Sequence, residues 1–336
     1  MNLYFCVILV MLSSLLSALC LAQESIKLQT DFPILNGPYL GQKPPGKTAE
    51  QFAVNVFDST YQGFHSNIIF SPDGKEAYWQ LNKGQGSSKQ AIFESRYENG
   101  IWTEPQVAFF SSLVESGSDD APFISPDGKK FFFLSYRPIS KNEKEEKCNI
   151  WMMERTEEGW SEPEPLPRAV NSLKGIHWML SVDLTGNLYF GTWTPQNGNT
   201  TGEIYCSKFE NGQYTKPEKL GPEINVPGYN YSPFIAPDGS YLIYSRKESS
   251  KPIRLFICFR KSDGMWTKPV NLCNIIGLED ISSDILQGDC PVITNDGKYL
   301  FFRDDLNGSL RPYWIEAGFI EELRKTELNT EQSKNK

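Results

Sequence analysis

The sequence predicts an all-β chain, a five-bladed β-propeller of four-stranded antiparallel blades closed by an N-terminal strand. Three observations carry that prediction. A turn of the form Ser-Pro-Asp-Gly-Lys recurs along the chain, its glycine falling at 74, 128, 186, 239 and 297, at intervals of 54, 58, 53 and 58 residues. Apolar runs flank each turn, and Asp-Gly between such runs marks a hairpin, because glycine takes the positive φ that the turn needs. Four of the five repeats end in a second stereotyped segment, aromatic-Ser/Thr-x-Pro. Four short strands per repeat, repeated radially, is the arithmetic of a propeller, since a lone sheet with two apolar faces must stack to bury them.

The first two turns are Ser71-Pro72-Asp73-Gly74-Lys75 and Ser125-Pro126-Asp127-Gly128-Lys129. The third, Asp183-Leu184-Thr185-Gly186-Asn187, is the most divergent; the last two are Ala236-Pro237-Asp238-Gly239-Ser240 and Thr294-Asn295-Asp296-Gly297-Lys298. A short strand precedes each turn, as at 121–124, and an aromatic one follows, as at 131–134, 188–190, 241–244 and 299–302. Third strands follow a variable loop, as at 149–153 and 255–259. The fourth segments are Trp102-Thr103-Glu104-Pro105, Trp160-Ser161-Glu162-Pro163, Tyr214-Thr215-Lys216-Pro217 and Trp266-Thr267-Lys268-Pro269, where proline suits an outer edge strand. The fifth repeat lacks this segment. Residues 50–57 stand upstream of the first repeat and are expected to supply it as a strand, so that the ring closes without an open edge.

Four segments result: a signal peptide over 1–22, an extended N-terminal arm over 23–47, the propeller over 48–316, and a short helix with a disordered C-terminal tail over 317–336. Residues 3–21 are almost wholly apolar and lead to Cys20-Leu21-Ala22, with small residues at the −1 and −3 positions of a cut after Ala22. A retained anchor is the competing expectation, since the run approaches the ~20 residues that span a bilayer. Lipid attachment through Cys20 is disfavoured by Leu19, which stands where a small residue is wanted. The expected product is secreted or periplasmic, with no transmembrane span after processing.

The 336 residues are 39% hydrophobic and 13% aromatic, enough for a large core and too aromatic for a disordered chain. Net charge is −8, from 41 acidic and 33 basic residues without a basic cluster. That argues against nucleic acid, where affinity comes from neutralising phosphates, and against an anionic membrane surface. Five cysteines remain after processing: Cys148, Cys206, Cys258, Cys273 and Cys290. The number is odd and no spacing matches a zinc site, so they read as small core fillers, with Cys273 and Cys290 the one pairing worth entertaining.

The Ser-Pro-Asp-Gly-Lys turn followed by an aromatic strand resembles the WD40-like repeats of TolB-type β-propellers, over about residues 48–316. With its Trp-Thr-x-Pro segments and the ending Ile320-Glu321-Glu322-Leu323, the chain is similar to secreted bacterial members of that group, most of which have no assigned activity. The resemblance implies an exported, periplasmic or cell-surface propeller. TolB itself has six blades and an N-terminal domain, so a role in an envelope complex is not implied, and fold alone does not name a ligand.

Propellers often bind ligands over the central channel, where the innermost strands begin. Nine residues before each turn glycine stand His65, Asp119, His177, Asn230 and Gly288; eight before stand Ser66, Asp120, Trp178, Tyr231 and Asp289. The only two histidines therefore share one repeat position, two blades apart. Arg137, Arg246 and Arg303 follow second strands and could supply positive charge, and Trp193 a ring for sugar stacking. The expected ligand site comprises His65, Asp119, Asp120, Arg137, His177, Trp178, Trp193, Asn230, Tyr231 and Asp289. Histidine serves as a general base near neutral pH, so His65 and His177 with Asp119 and Asp120 are the catalytic candidates. No cofactor is predicted, although imidazole and carboxylate donors at a His65/His177 rim suit a divalent transition metal. Against these stands the plain alternative that polar residues here cap backbone groups and line a wet channel. The turn aspartates are structural. The run Asp304-Asp305-Leu306-Asn307-Gly308 faintly resembles a calcium loop but lacks its closing glutamate, and no Gly-x-Ser-x-Gly, Walker or dinucleotide motif is present.

The expected function is an exported propeller binding a glycan, peptide or protein ligand at its channel face. The alternative is a carbohydrate-active enzyme, a polysaccharide lyase or glycoside hydrolase using the His/Asp rim; a structural scaffold is the third. Two carboxylates flanking a cleft would favour the hydrolase, and histidines converging with an arginine the lyase. Whether the chain is catalytic, and its oligomeric state, are left open by the sequence.

Overall fold

Each of the five glycine turns folds the chain back on itself by local chemistry. At the first, Gly74 has φ 69° and its N–H donates to Ser71 O at 2.8 Å. Ser71 Oγ donates to Asp73 Oδ1 at 2.6 Å, and that oxygen also accepts Lys75 N–H at 3.1 Å. The same bonds recur at Ser125 with Asp127 and at Thr294 with Asp296. In the divergent third turn the Asp183 carboxylate accepts Thr185 N–H and Asn187 N–H directly, at 2.9 and 3.0 Å. A different sequence thus reaches the same turn.

The computed structural model describes residues 32–57, 64–82, 89–112, 118–139, 148–173, 175–196, 199–249, 251–278, 286–306 and 309–334. Packing divides the chain into Met1–Pro33 and Ile34–Lys336. The expected signal segment lies outside the described residues, and every described strand belongs to Ile34–Lys336. Among the described residues no helix is long and apolar enough to cross a membrane.

The architecture is all-β. Unit 1 comprises Ile69–Phe70, Glu76–Asn82, Gln90–Glu98 and an outer pair, Ile101–Trp102 and Gln106–Val107. Unit 2 repeats this as Asp119–Ile124, Lys130–Ser135, Asn149–Thr156, Gly159–Trp160 and Glu164–Pro165. Unit 3 has Ile176–Val182, Leu188–Gln196, Asn199–Ser207 and Glu218–Lys219; unit 4 has Tyr229–Ile235, Tyr241–Lys247, Ile253–Phe259 and Val270–Asn271. Unit 5 has Asp289–Ile293, Tyr299–Leu306 and Ser309–Glu316. Within each unit successive strands pair antiparallel, and a parallel bridge between Gly202 and Tyr229 joins units 3 and 4 into one sheet.

The fourth strand is broken where proline stands. Trp102 pairs with Tyr97, the chain leaves the ladder through Thr103-Glu104-Pro105, and Val107 rejoins it opposite Phe93. Threonine or serine after the aromatic residue bridges the gap: Thr103 Oγ1 accepts Arg96 N–H at 2.9 Å, and Thr215 and Thr267 do the same for Lys208 and Phe259, both at 3.0 Å.

Glu50–Gln51 pairs antiparallel with Ser309–Glu316, Glu50 lying opposite Trp314. The strand expected over 50–57 is only these two residues long, because Ala53 takes a positive φ of 50° and turns the chain. Phe52 and Phe57 are then buried as side chains of a turn. Side-chain hydrogen bonds also tie successive units together: Ser181 Oγ donates to Pro233 O at 2.9 Å, Cys290 N–H to Ser245 Oγ at 3.1 Å, and Asn67 Nδ2 to Cys290 O at 3.0 Å. Second strands are buried on both faces, as in the run Phe131, Phe132, Phe133 and Leu134. That is the pattern of a sheet covered on both sides.

Both ends depart from expectation. The arm is anchored, not simply laid on the surface: Trp102 N–H donates to Leu35 O at 3.0 Å, Leu40 is fully buried, and Glu316 N–H donates to Gly46 O at 3.0 Å. The C-terminal helix spans Phe319–Lys334 and so runs well into the residues expected to form a disordered tail. It continues because Leu323 and Leu328 pack on the core, while Thr326 and Thr330 bond back to carbonyls one turn earlier. The entertained pairing does not form: Cys273 Sγ accepts Leu255 N–H and Cys290 Sγ lies by Ser232 Oγ.

Candidate functional site

Four first strands carry the same irregularity, seven residues before the turn glycine. Ala121, Met179, Ser232 and Cys290 have φ of 51°, 43°, 50° and 50°, and the pairing register slips beside each. Left-handed backbone costs a non-glycine residue about 1–2 kcal/mol, and such bulges re-aim the residues next to them. Here they divide the two candidate sets. Neighbouring residues of a strand point to opposite faces, so the residues eight and nine before the glycine cannot share one rim.

Residues of the first kind meet. Tyr231 Oη donates to Asp289 Oδ2 at 3.5 Å, and its ring stands edge-on to Trp178 at 6.3 Å. Trp178 stacks on Trp193 with centroids 5.3 Å apart and planes 6° from parallel, and Trp193 leans on Tyr229 at 5.5 Å. His65 joins them although it belongs to the other set, because it lies ahead of the first described strand of unit 1, which begins at Ile69. Its ring lies 4.4 Å from Trp178, and its Nδ1 is hydrogen-bonded to Asp120 Oδ2. His65 thus links unit 1 to units 2 and 3.

The other residues nine before the glycine turn into their own units. Asp119 bonds Arg137 Nη2 at 2.7 Å and Ser111 Oγ at 2.9 Å. His177 is fully buried, with Nδ1 3.2 Å from Thr192 Oγ1 and its ring edge-on to Phe190. Asn230 Nδ2 donates to Val226 O at 2.7 Å. The two histidines therefore share a sequence register but not a rim. Among the described residues no group of three or more His, Cys, Asp or Glu side chains is placed to hold a metal ion.

The arginines are committed as well. Arg137 lies over the Phe133 and Trp151 rings while bonding Asp119. Arg246 pairs with Glu248. Arg303 grips Asp289 with two bonds of 2.8 and 2.7 Å and donates through Nη1 to the Phe64 and His65 carbonyls. Burial would raise the Asp120 carboxyl, but the His65 imidazole and the Ala121 N–H outweigh it and hold it below the usual carboxylate range. For Asp119 burial wins over Arg137, and its carboxyl is raised. Burial, then the Asp289 charge, pushes the Tyr231 phenol well up.

Sequence spacing does not single out one further participant. Gln80 is fully buried and its Oε1 accepts His65 N–H at 2.6 Å. A signal for it exists: six residues after the turn glycine, a glutamine interrupts an otherwise aromatic and apolar strand.

The repeated four-stranded units define the chain as a β-propeller. No protein-family model matches it, and no curated protein matches it. Solved structures similar to it include TolB from Acinetobacter baumannii, 16% identical with a TM-score of 0.41, covering 75% of this chain and 56% of that one. An endo-arabinase from Bacteroides thetaiotaomicron VPI-5482 is 14% identical with a TM-score of 0.47, covering 82% and 96%. The periplasmic gluconolactonase of Pseudomonas aeruginosa is 12% identical with a TM-score of 0.42, covering 83% and 81%. This chain thus spans little more than half of the TolB chain, and none of these likenesses bears on what it binds.

Proposed function

We propose that this protein is an exported, five-bladed propeller of TolB-type repeats, closed by Glu50–Gln51, that binds a glycan, peptide or protein ligand at its channel face. Export rests on the apolar run at 3–21 and the small residues before position 23. Five blades rest on the five turn glycines, and closure on the pairing of Glu50 with Trp314 and the bond from Asn67 to Cys290. The observation that carries the binding reading is the convergence of His65, Asp120, Trp178, Trp193 and Tyr231 from several units on one mouth. Partly exposed aromatic surface beside a fixed polar pair is what small ligands and glycans use. Selection of glycan and peptide libraries against wild type and a His65→Ala/Trp193→Ala variant tests it. Ligands captured only by the wild type support the reading; a ligand class held equally by both proteins overturns it.

A carbohydrate-active enzyme is the second reading, favoured by one observation: Asp120 fixes His65 Nδ1, which leaves Nε2 oriented as a base would be. Against a hydrolase, Asp119 and Asp289 are each held by an arginine, so neither is available as one of a carboxylate pair. Incubation with neutral and acidic polysaccharides, following new reducing ends and unsaturated products, decides it. Product formation that disappears in His65→Gln would establish catalysis.

A further inference from the structure

The binding reading, on which the present inference rests, leaves the ligand's chemistry open; the charges of the mouth narrow it. Asp289 is held by Arg303 through two bonds and Asp120 by His65, while Asp119 and Arg137 pair with each other away from the mouth. Among the described residues each of these carboxylates already has its cation or imidazole, and each of these arginines its acid. An anionic ligand finds no uncommitted guanidinium there, and a cationic one no uncommitted carboxylate. Recognition of either would require breaking a buried pair, and a ligand that did so would leave one of its partners stranded.

What remains uncommitted is neutral. Trp178 and Trp193 present partly exposed indole surface, while the Nε1–H of each is shut off from solvent. His65 keeps one third of its side chain exposed (32%), and with Nδ1 donating to Asp120 its Nε2 retains a lone pair. The mouth therefore offers an apolar stacking surface and one neutral acceptor. We infer that it takes a neutral glycan. The C–H face of a pyranose ring packs against the indoles, and a hydroxyl donates to His65 Nε2. A sugar hydroxyl both donates and accepts, which a carboxylate or an ammonium group does not.

The test titrates neutral oligosaccharides, their uronic-acid counterparts and peptides into the protein at low and high salt, following tryptophan fluorescence and calorimetry. The expected result is saturable binding of a neutral sugar, changed less than about twofold by salt, because no charge pair is formed across the interface. Trp193→Ala should weaken it by about tenfold or more, and His65→Leu should also weaken it, while Trp193→Phe, which keeps a ring in place and serves as the folding control, should lose less. Binding of uronic-acid sugars alone, weakening as salt rises, would overturn the neutral class while leaving the channel face standing as a site. Neutral-sugar binding untouched by all three variants would overturn both the inference and the site. Binding of peptides alone, or of none of the sugars, overturns the inference.

Discussion

Arg155 lies over the Trp160 ring, 3.6 Å from its centroid, and reaches from there into the preceding unit, where its guanidinium bonds Glu76 at 3.0 and 2.5 Å. Trp160 Nε1 donates to Tyr78 Oη of the same preceding unit at 3.0 Å. The arrangement is periodic. Arg260 lies over Trp266 and bonds Tyr189 Oη at 2.9 Å, and Phe209 packs on Tyr214 with Lys130 over its ring. In unit 1, Tyr97 packs on Trp102 and its hydroxyl accepts Gly37 N–H from the arm. The aromatic residue of each fourth segment is thus a platform from which its cross-strand partner clasps the preceding element.

If the platform matters more than the ion pair, the two should separate by mutation. Arg155 and Glu76 keep 30% and 12% of their side chains exposed, so solvent screens the pair and Arg155→Met should cost only about 1 kcal/mol. Trp160→Ala removes a buried ring and should cost about 3–5 kcal/mol. Trp160→Phe, which keeps the ring and loses the bond to Tyr78, should fall near 1 kcal/mol. Urea unfolding of the three variants measures this, and a larger loss from Arg155→Met than from Trp160→Ala would refute the ordering.

The arm should act on the seam between units 1 and 5 specifically. Tyr39 stands edge-on to Phe70 of unit 1 at 5.1 Å and to Tyr299 of unit 5 at 5.3 Å, and touches Trp314 at 5.8 Å. Trp314 is the residue that pairs with Glu50. Tyr39→Ala should lower stability by about 2–4 kcal/mol and release amide protection first in Ser309–Glu316. Hydrogen exchange checks this. Equal loss of protection in Leu188–Gln196 of unit 3 would show that the arm has no local role.

How much is legible in the sequence depends on where the information lies. The Asp-Gly turns and the Trp-Ser/Thr-x-Pro segments are legible because Ser71, Asp73 and Thr103 act within a few residues of themselves. The separation of His65 from His177 is not. It depends on the strand's two-residue period and on where the first described strand of unit 1 begins, at Ile69 and past His65, and a count back from the glycine contains neither. The 50–57 stretch resembles a full strand because its apolar spacing is strand-like, but Ala53 turns it and converts Phe52 and Phe57 into packing residues. The commitment of Arg137 and Arg303 to Asp119 and Asp289 is tertiary, although each pair brackets one hairpin.

The turn acids make acid stability predictable. Burial would raise Asp73, Asp127 and Asp296, but a Ser or Thr hydroxyl and the N–H two residues on outweigh it, and all three are lowered. Asp120 is lowered too. A carboxyl with a lower pKa in the folded state binds fewer protons folded than unfolded, so its stabilisation is complete above the unfolded value and drains as pH falls through the folded one. The urea midpoint should therefore hold steady down to about pH 5 and fall steeply below about pH 4. Replacing Asp73, Asp127 and Asp296 together by Asn should flatten that fall. An unchanged slope in the triple variant would assign the acid sensitivity elsewhere.

Asp119 should behave in the opposite sense once its partner is gone. It is already raised, because burial outweighs the attraction of Arg137, and both side chains are nearly inaccessible, 1% and 10% exposed. Arg137→Met leaves that carboxylate buried and unpaired, a loss of about 3–5 kcal/mol at neutral pH. With the cation absent the folded-state pKa rises further, so the variant should regain stability as pH falls and Asp119 takes a proton. Asp119→Ala added to Arg137→Met should recover much of the loss, since the stranded charge is then removed. Because the pair points into unit 2 and not toward the mouth, ligand binding by the double variant should match wild type. A double variant that folds normally but no longer binds would move Asp119 and Arg137 back among the ligand-contacting residues, where sequence spacing places them.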